Sequence, residues 1–217
     1  MIKKIRFTVL LLLTVFLLCS CSSLVKLTYE DGRYTGGGVS YVGTPVSFQA
    51  AAVGEPYAVY TTHEGKASVT LYEIDGLDPK RWLTEYEGGV SAVYCSEAIT
   101  LPALSGFNPD SILICAEDEL VMHIATVDNA AVIRRVLDVL ASGEPLDMPL
   151  AGAASYHLKF TSPDYPGLYY DILYIIDRDG AAYFYDRSTK IAVAAGSALT
   201  GYIDSYDDTD PDDTNGE

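Results

Sequence analysis

The sequence predicts an α+β fold, in which antiparallel sheet is combined with one main amphipathic helix followed by a β-meander. Two patterns lead to this prediction. Apolar residues recur at helical spacing over about residues 128–142. Before and after that segment, short runs rich in valine, isoleucine and tyrosine are separated by turn residues, which is the pattern of strands.

Residues 1–20 have the composition of a secretory signal peptide. A basic start is followed by an apolar run over residues 7–18 and then by small residues. The apolar run has about 12 residues, and a helix needs about 20 to span a bilayer. We therefore expect a cleaved signal peptide rather than a permanent membrane helix.

The residues at the end of this segment, Leu18-Cys19-Ser20-Cys21, resemble the lipobox of bacterial lipoproteins. In that family a branched apolar residue lies three positions before the cysteine, and a small residue lies directly before it. The resemblance covers only the first 23 residues. It implies lipid transfer to the Cys21 sulfur, cleavage before Cys21, and acylation of the new amino terminus by fatty acid such as palmitate. The alternative is an ordinary signal peptide with incidental cysteines.

The predicted anchor places the protein on the extracytoplasmic face of a cell membrane, because several acyl chains hold a protein there stably. The net charge of the mature chain would not attach the protein to a membrane. Loss of residues 1–20 lowers the number of lysines and arginines from 14 to 11 against 30 acidic residues, so the formal charge moves from −16 to −19. A chain this acidic is not expected to bind nucleic acid or anionic lipid headgroups.

The remaining chain divides into four predicted segments. Residues 21–38 are expected to be a flexible tether, because they contain two serines and the run Gly36-Gly37-Gly38. Residues 39–125 are expected to be mostly β. Residues 126–203 are expected to hold the helix and the meander, either as a separate domain or as one domain with residues 39–125. Residues 204–217 contain seven acids and no base, which predicts a disordered tail.

The helix is expected to begin after Asp128, which can cap it, and to end at Gly143. The meander strands are expected at residues 155–161, 169–176, 181–185 and 190–194. Asp177-Arg178-Asp179-Gly180 supplies one of the turns between them.

Two cysteines, Cys95 and Cys115, remain outside the cytoplasm if Cys21 carries lipid. Disulfides persist there. A Cys95–Cys115 bridge would close a loop of about 20 residues and contribute about 3 kcal/mol in the loop-entropy model. Two buried free thiols are the alternative, since cysteine behaves as a small hydrophobe.

Tyrosine is unusually frequent, with 17 residues against 6 phenylalanines. Tyr170 and Tyr174 share one face of a meander strand, and Tyr183 and Tyr185 share one face of the next. Because tyrosine is enriched at interfaces, these residues are a candidate binding face for an envelope protein, a peptide or a glycan. The alternative is that this face packs beneath the helix.

Signatures of catalysis are missing from the sequence. The three histidines lack companions at metal-ligand spacing, and the usual serine-nucleophile motifs do not occur. No catalytic residue, metal ligand or cofactor is predicted. We therefore expect a non-catalytic binding or interaction module on a membrane anchor. The alternative is a small cell-envelope hydrolase that uses scattered carboxylates and histidines.

Overall fold

The computed structural model describes residues 24–61, 67–87, 90–117, 121–146 and 152–203. The predicted signal peptide, Cys21 and the acidic tail lie outside these residues. A single α-helix in the described chain, α1, spans Ala130–Ser142, and a 3₁₀ helix spans Leu104–Phe107. The strands of the described chain are β1 (Val25–Glu30), β2 (Arg33–Gly36), β3 (Val39–Gly43), β4 (Phe48–Ala50), β5 (Val53–Thr61), β6 (Ser68–Ile74), β7 (Trp82–Glu87), β8 (Val90–Ser96), β9 (Ser111–Glu117), β10 (Val121–Val127), β11 (Gly152–Thr161), β12 (Leu168–Asp177), β13 (Ala182–Asp186) and β14 (Ile191–Ala194).

The predicted α+β class is wrong, because the described chain is mostly β. Seven strands close into a barrel in the order β1-β2-β3-β8-β7-β6-β5, and parallel pairing of β1 with β5 completes the ring. A second sheet has the order β10-β9-β11-β12-β13-β14. Among the described residues, α1 and the 3₁₀ helix are the only helical elements. Helix α1 covers part of the second sheet and does not form a main layer of the fold.

Most of the segment expected to be a flexible tether is structured. From Val25 onward it forms β1 and β2, and Val25, Leu27 and Tyr29 alternate with polar residues as a strand requires. The glycine run makes a turn into β3, in which Gly37 and Gly38 have φ values of 60° and 82°. Glycine adopts such angles without steric cost, so these residues close a hairpin.

The second sheet extends further toward the amino terminus than the predicted boundary at residue 126. Strands β9 and β10 pair with each other, and β9 also pairs with β11, so they belong to the sheet of the meander. Helix α1 lies between β10 and β11 in the chain. Its amino-terminal cap is Asn129, whose side chain accepts a hydrogen bond from the Ala131 amide at 2.9 Å, in place of the expected Asp128.

The barrel and the second sheet share one hydrophobic core. Buried Trp82 and Cys95 of the barrel belong to the same apolar cluster as Ile114, Leu158 and other residues of the sheet. Strand β4 strengthens this connection. It lies between barrel strands β3 and β5 in the chain, but it pairs with the first half of β12. The segment that connects two barrel strands is therefore also an edge of the second sheet.

The close approach of barrel and sheet depends on Gly167. A Cβ at this position would lie 2.7 Å from the side chain of Ile74, the last residue of β6, and 2.2 Å from the carbonyl oxygen of Asp75, which follows it. We expect Gly167→Ala to lower the free energy of unfolding by about 2 kcal/mol through overpacking, measured by urea denaturation. The matched control is Gly106→Ala, whose Cβ would make an ordinary 3.6 Å contact with Pro102. Equal stability of the two variants would contradict this account of the contact.

Candidate functional site

A buried carboxylate, Asp171, lies in the middle of β12 and is 0% exposed. It occupies the position at which the neighbour of β12 changes. Strand β4 pairs with residues 168–170, whereas β13 pairs from Leu173 onward. The Asp171 amide therefore has no partner in the β4 or β13 pairing. It donates instead to the Ser47 carbonyl at 2.7 Å.

Three side chains from distant parts of the chain donate to the Asp171 carboxylate. Gln49 Nε2 of β4 lies 2.8 Å from Oδ2, and His157 Nδ1 of β11 lies 2.9 Å from Oδ2 and 3.0 Å from Oδ1. Arg187, in the turn after β13, donates through Nη2 to Oδ2. A charge removed from water needs such compensation, so these contacts hold three segments of the fold around one carboxylate.

A second carboxylate, Asp186, lies beside this cluster. Its Oδ1 accepts from the Ser47 hydroxyl at 2.7 Å and from the Ser188 amide at 2.8 Å, and its Oδ2 accepts from the Tyr170 hydroxyl at 3.2 Å. Ser47 is itself 0% exposed. Because its carbonyl accepts from the Asp171 amide and its hydroxyl donates to the Asp186 carboxylate, Ser47 connects the two residues.

Cys115 is brought next to this cluster by the strand register. It lies directly opposite His157 across β9 and β11, so Cys115, His157 and Asp171 follow one another across three strands. These are the residue types of a nucleophilic triad. Directly opposite residues of an antiparallel pair have Cβ atoms about 5 Å apart.

The environment of Cys115 does not match that of an activated cysteine nucleophile. The Cys115 thiol is 5% exposed, and burial raises its pKa, with Lys159 opposing the shift and the Asp171 charge adding to it. A catalytic cysteine needs the opposite shift, because the thiolate is the nucleophile. The Asp171 charge is also shared with Arg187 and Gln49, so it does not serve the histidine alone.

The predicted tyrosine face is divided between the two sides of the sheet. Tyr170 and Tyr174 lie in the shared core and are 7% and 6% exposed. Tyr183 and Tyr185 are half-buried on the opposite side, because Leu173 pairs with Tyr185 and Tyr174 pairs with Phe184. The four tyrosines therefore do not form one surface.

Cys95 and Cys115, the two cysteines of the possible bridge, are both free and buried, as in the alternative considered from the sequence. Cys95 lies in β8 within the shared core, whereas Cys115 lies on the side of the second sheet that carries His157. Among the described residues, no group of three histidine, cysteine, aspartate or glutamate side chains is placed to hold a metal ion.

A cleft of about 270 Å³ lies on the opposite side of the sheet from His157, between α1, the 3₁₀ helix and the sheet. Most of its walls are apolar. Its polar lining residues are Ser105, Tyr170, Asp186 and Thr189. The lining residues are Ala103, Leu104, Ser105, Leu137, Leu140, Ala141, Tyr170, Ile172, Asp186, Thr189, Ile191 and Val193.

Sequence reasoning missed most of the polar cluster. Nothing in the sequence indicated that His157 or Arg187 would contact Asp171. One signal was present in the sequence. Asp171 lies inside β12 between apolar residues, whereas the other carboxylate of the strand, Asp177, is at its end, and a charge inside such a strand requires partners. The identity of those partners depends on strand register, which the sequence does not reveal.

Comparison of the chain with protein-family models, with curated proteins and with solved structures finds no significant match. In the described ranges, no helix has both the length and the apolar character needed to cross a membrane.

The Asp171 cluster predicts a large loss of stability on Asp171→Ala. Removal of the carboxylate leaves the Arg187 charge and the Gln49 amide without the acceptor they share, which we expect to cost about 3 kcal/mol in the free energy of unfolding. Chemical denaturation measures this change. The control is Glu97→Ala, which breaks the exposed Arg33–Glu97 ion pair and should change stability little. A small effect of Asp171→Ala would contradict a structural role for the cluster.

The raised pKa values of Cys95 and Cys115 predict slow alkylation in the folded protein at neutral pH. Peptide mass spectrometry after iodoacetamide treatment measures the rate at each cysteine. Ser155→Cys provides an exposed thiol on β11 as a matched control, and it should react quickly. After denaturation without reductant, both native cysteines should react. Rapid labelling of Cys115 in the folded protein would instead support a nucleophilic role.

Proposed function

We propose that this chain is an extracytoplasmic lipoprotein, anchored to the cell membrane through lipid on Cys21, that acts as a non-catalytic binding module. The support for the anchor is the lipobox-like segment at residues 18–21. The ligand site is the cleft between α1, the 3₁₀ helix and the sheet. The observation that carries this proposal is a mainly apolar cleft whose few polar lining residues include Asp186 and Tyr170, a composition typical of sites that bind small ligands.

The arrangement of polar groups favours binding over hydrolysis. The His157–Asp171 pair does not line the cleft, and the lining residues contain one carboxylate but no histidine, cysteine, lysine or arginine. A serine or threonine nucleophile needs an adjacent general base. The cleft also holds Ser105 and Thr189, but the side-chain hydrogen bonds of the Asp186 carboxylate go to Ser47, Ser188 and Tyr170.

The size and lining of the cleft restrict its ligand. Small-molecule sites commonly have about 300–1,000 Å³, so a cleft of about 270 Å³ suits a small compound or one side chain. A glycan would require many hydrogen-bonding groups, whereas the walls are formed mainly by residues such as Leu137, Leu140 and Ile172. Among the partners expected from the sequence, the cleft suits a peptide better than a glycan.

The binding site is tested by closing the cleft. Ala141 is exposed on α1 at the rim, so Ala141→Trp should fill the cleft without disturbing the core. We expect small apolar fragments to shift the NMR signals of Leu137, Leu140 and Ile191 in the wild type and not in this variant. Ala98→Trp, at an exposed position outside the cleft, is the matched control and should leave binding intact. Fragment binding that persists in Ala141→Trp would overturn the assignment of the site.

The anchor is tested separately. Cys21→Ala should abolish labelling by a palmitate analogue and either release the protein from membranes or leave the uncleaved precursor. Cys19→Ala is the matched control, because the lipobox resemblance gives that cysteine no lipid, and it should retain both labelling and membrane association. Labelling that is unchanged by Cys21→Ala would show that another residue is acylated.

A further inference from the structure

Resting on the proposed function of the cleft, we propose that its ligand is a small organic monocation, with an apolar body that ends in a primary ammonium group bound by Asp186. The apolar walls would cover the body, and the Oδ2 atom of Asp186 would accept from the ammonium group.

The hydrogen bonds of Asp186 leave one acceptor position open. A carboxylate has about four lone-pair sites, two on each oxygen. The Ser47 hydroxyl and the Ser188 amide occupy Oδ1, whereas only the Tyr170 hydroxyl is bonded to Oδ2. Tyr170 and Asp186 both line the cleft, and the proposal assigns the open position on Oδ2 to the ligand there.

The Asp186 charge has no cationic partner in the described part of the chain. The ion pairs there join Arg33 to Glu97, and His157 and Arg187 to Asp171. Arg187 follows Asp186 directly in the sequence, but its guanidinium bonds the other carboxylate. A negative charge held only by neutral donors beside an apolar cleft is complementary to a cation. Exclusion of water by the ligand would strengthen this attraction.

The Tyr170 hydroxyl, which is bonded to Asp186 Oδ2, does not compete with a cation for the open position on that oxygen. Burial, with a smaller contribution from the Asp186 charge, raises the pKa of Tyr170 to about 12, so its hydroxyl keeps its proton and donates to Oδ2. The ligand is therefore left with a single acceptor site at Oδ2.

This geometry favours ammonium over guanidinium. A guanidinium binds carboxylates best through two parallel hydrogen bonds, one to each oxygen. Here Oδ1 is already occupied by two donors, so only monodentate contact is open, which suits the compact charge of an ammonium group. The apolar body would lie between Leu137 and Leu140 of α1 and Ile172 and Val193 of the sheet.

The proposal is tested by isothermal titration of the protein purified from membranes in a non-ionic detergent. The ligands are hexylammonium, hexanol and hexanoate, which share an apolar body and differ in charge. We expect hexylammonium to bind at least about tenfold more tightly than hexanol, because a hydrogen bond to a charged group is worth more than a neutral one. Hexanoate should not bind, since it would meet the Asp186 charge.

Variants assign the effect to Asp186. Asp186→Asn keeps an oxygen for Ser47 and Ser188 and should weaken hexylammonium binding at least about tenfold. Asp179→Asn removes an exposed charge elsewhere and should have no effect. Should Asp186→Asn fail to fold, Thr189→Lys places a competing ammonium at the rim and should abolish binding, while Thr189→Met should retain it.

The outcomes separate this inference from the proposed function. If hexanol binds as tightly as hexylammonium and Asp186→Asn changes nothing, the cleft binds ligands but the cation assignment is overturned. If Ala141→Trp blocks the binding of none of the three ligands, both the cleft as a ligand site and the cation assignment are overturned. If a lysine-containing peptide binds more tightly than hexylammonium, the ligand is a peptide side chain and the assignment to a free small molecule is overturned.

Discussion

The structure depends on compensation of the buried Asp171 charge. This carboxylate lies where β12 changes from one neighbouring strand to another, and its donors come from β4, β11 and the turn after β13. Gln49 belongs to the segment that links two barrel strands, so the same contacts connect the barrel to the second sheet. An isolated charge in this position would be costly, and only the correctly assembled fold supplies its three donors.

The cluster also determines where the second carboxylate lies. Ser47 accepts from the Asp171 amide and donates to Asp186 at the end of β13, and Arg187, the next residue, donates to Asp171 on the other side of the sheet. Arg187 therefore supports the fold, whereas Asp186 lines the cleft. Three hydrogen bonds hold the Asp186 side chain in place, and such positioning reduces the entropic cost of binding a ligand.

The sequence predicted local features better than long-range ones. A helix lies at Ala130–Ser142, within the expected interval, because its apolar spacing is a local pattern. Closure of the barrel by parallel β1 and β5 joins residues about 30 positions apart, and no local signal indicates it. The glycines at 36–38 were also misinterpreted for lack of long-range information. A glycine run occurs both in flexible tethers and in tight hairpins, so composition alone does not distinguish the two. The partners of Asp171 also required the strand register, because β4 and the turn after β13 are far apart in the chain.

The central claim is that Asp171 and the segments around it stabilise each other, and a double-mutant cycle tests it most directly. The variants are Asp171→Asn, Arg187→Met and the combination of the two, compared by the free energy of unfolding. The account predicts an interaction free energy of at least about 1 kcal/mol, since contacting charged residues couple strongly. An interaction within experimental error of zero would contradict it, because the two residues would then contribute to stability independently.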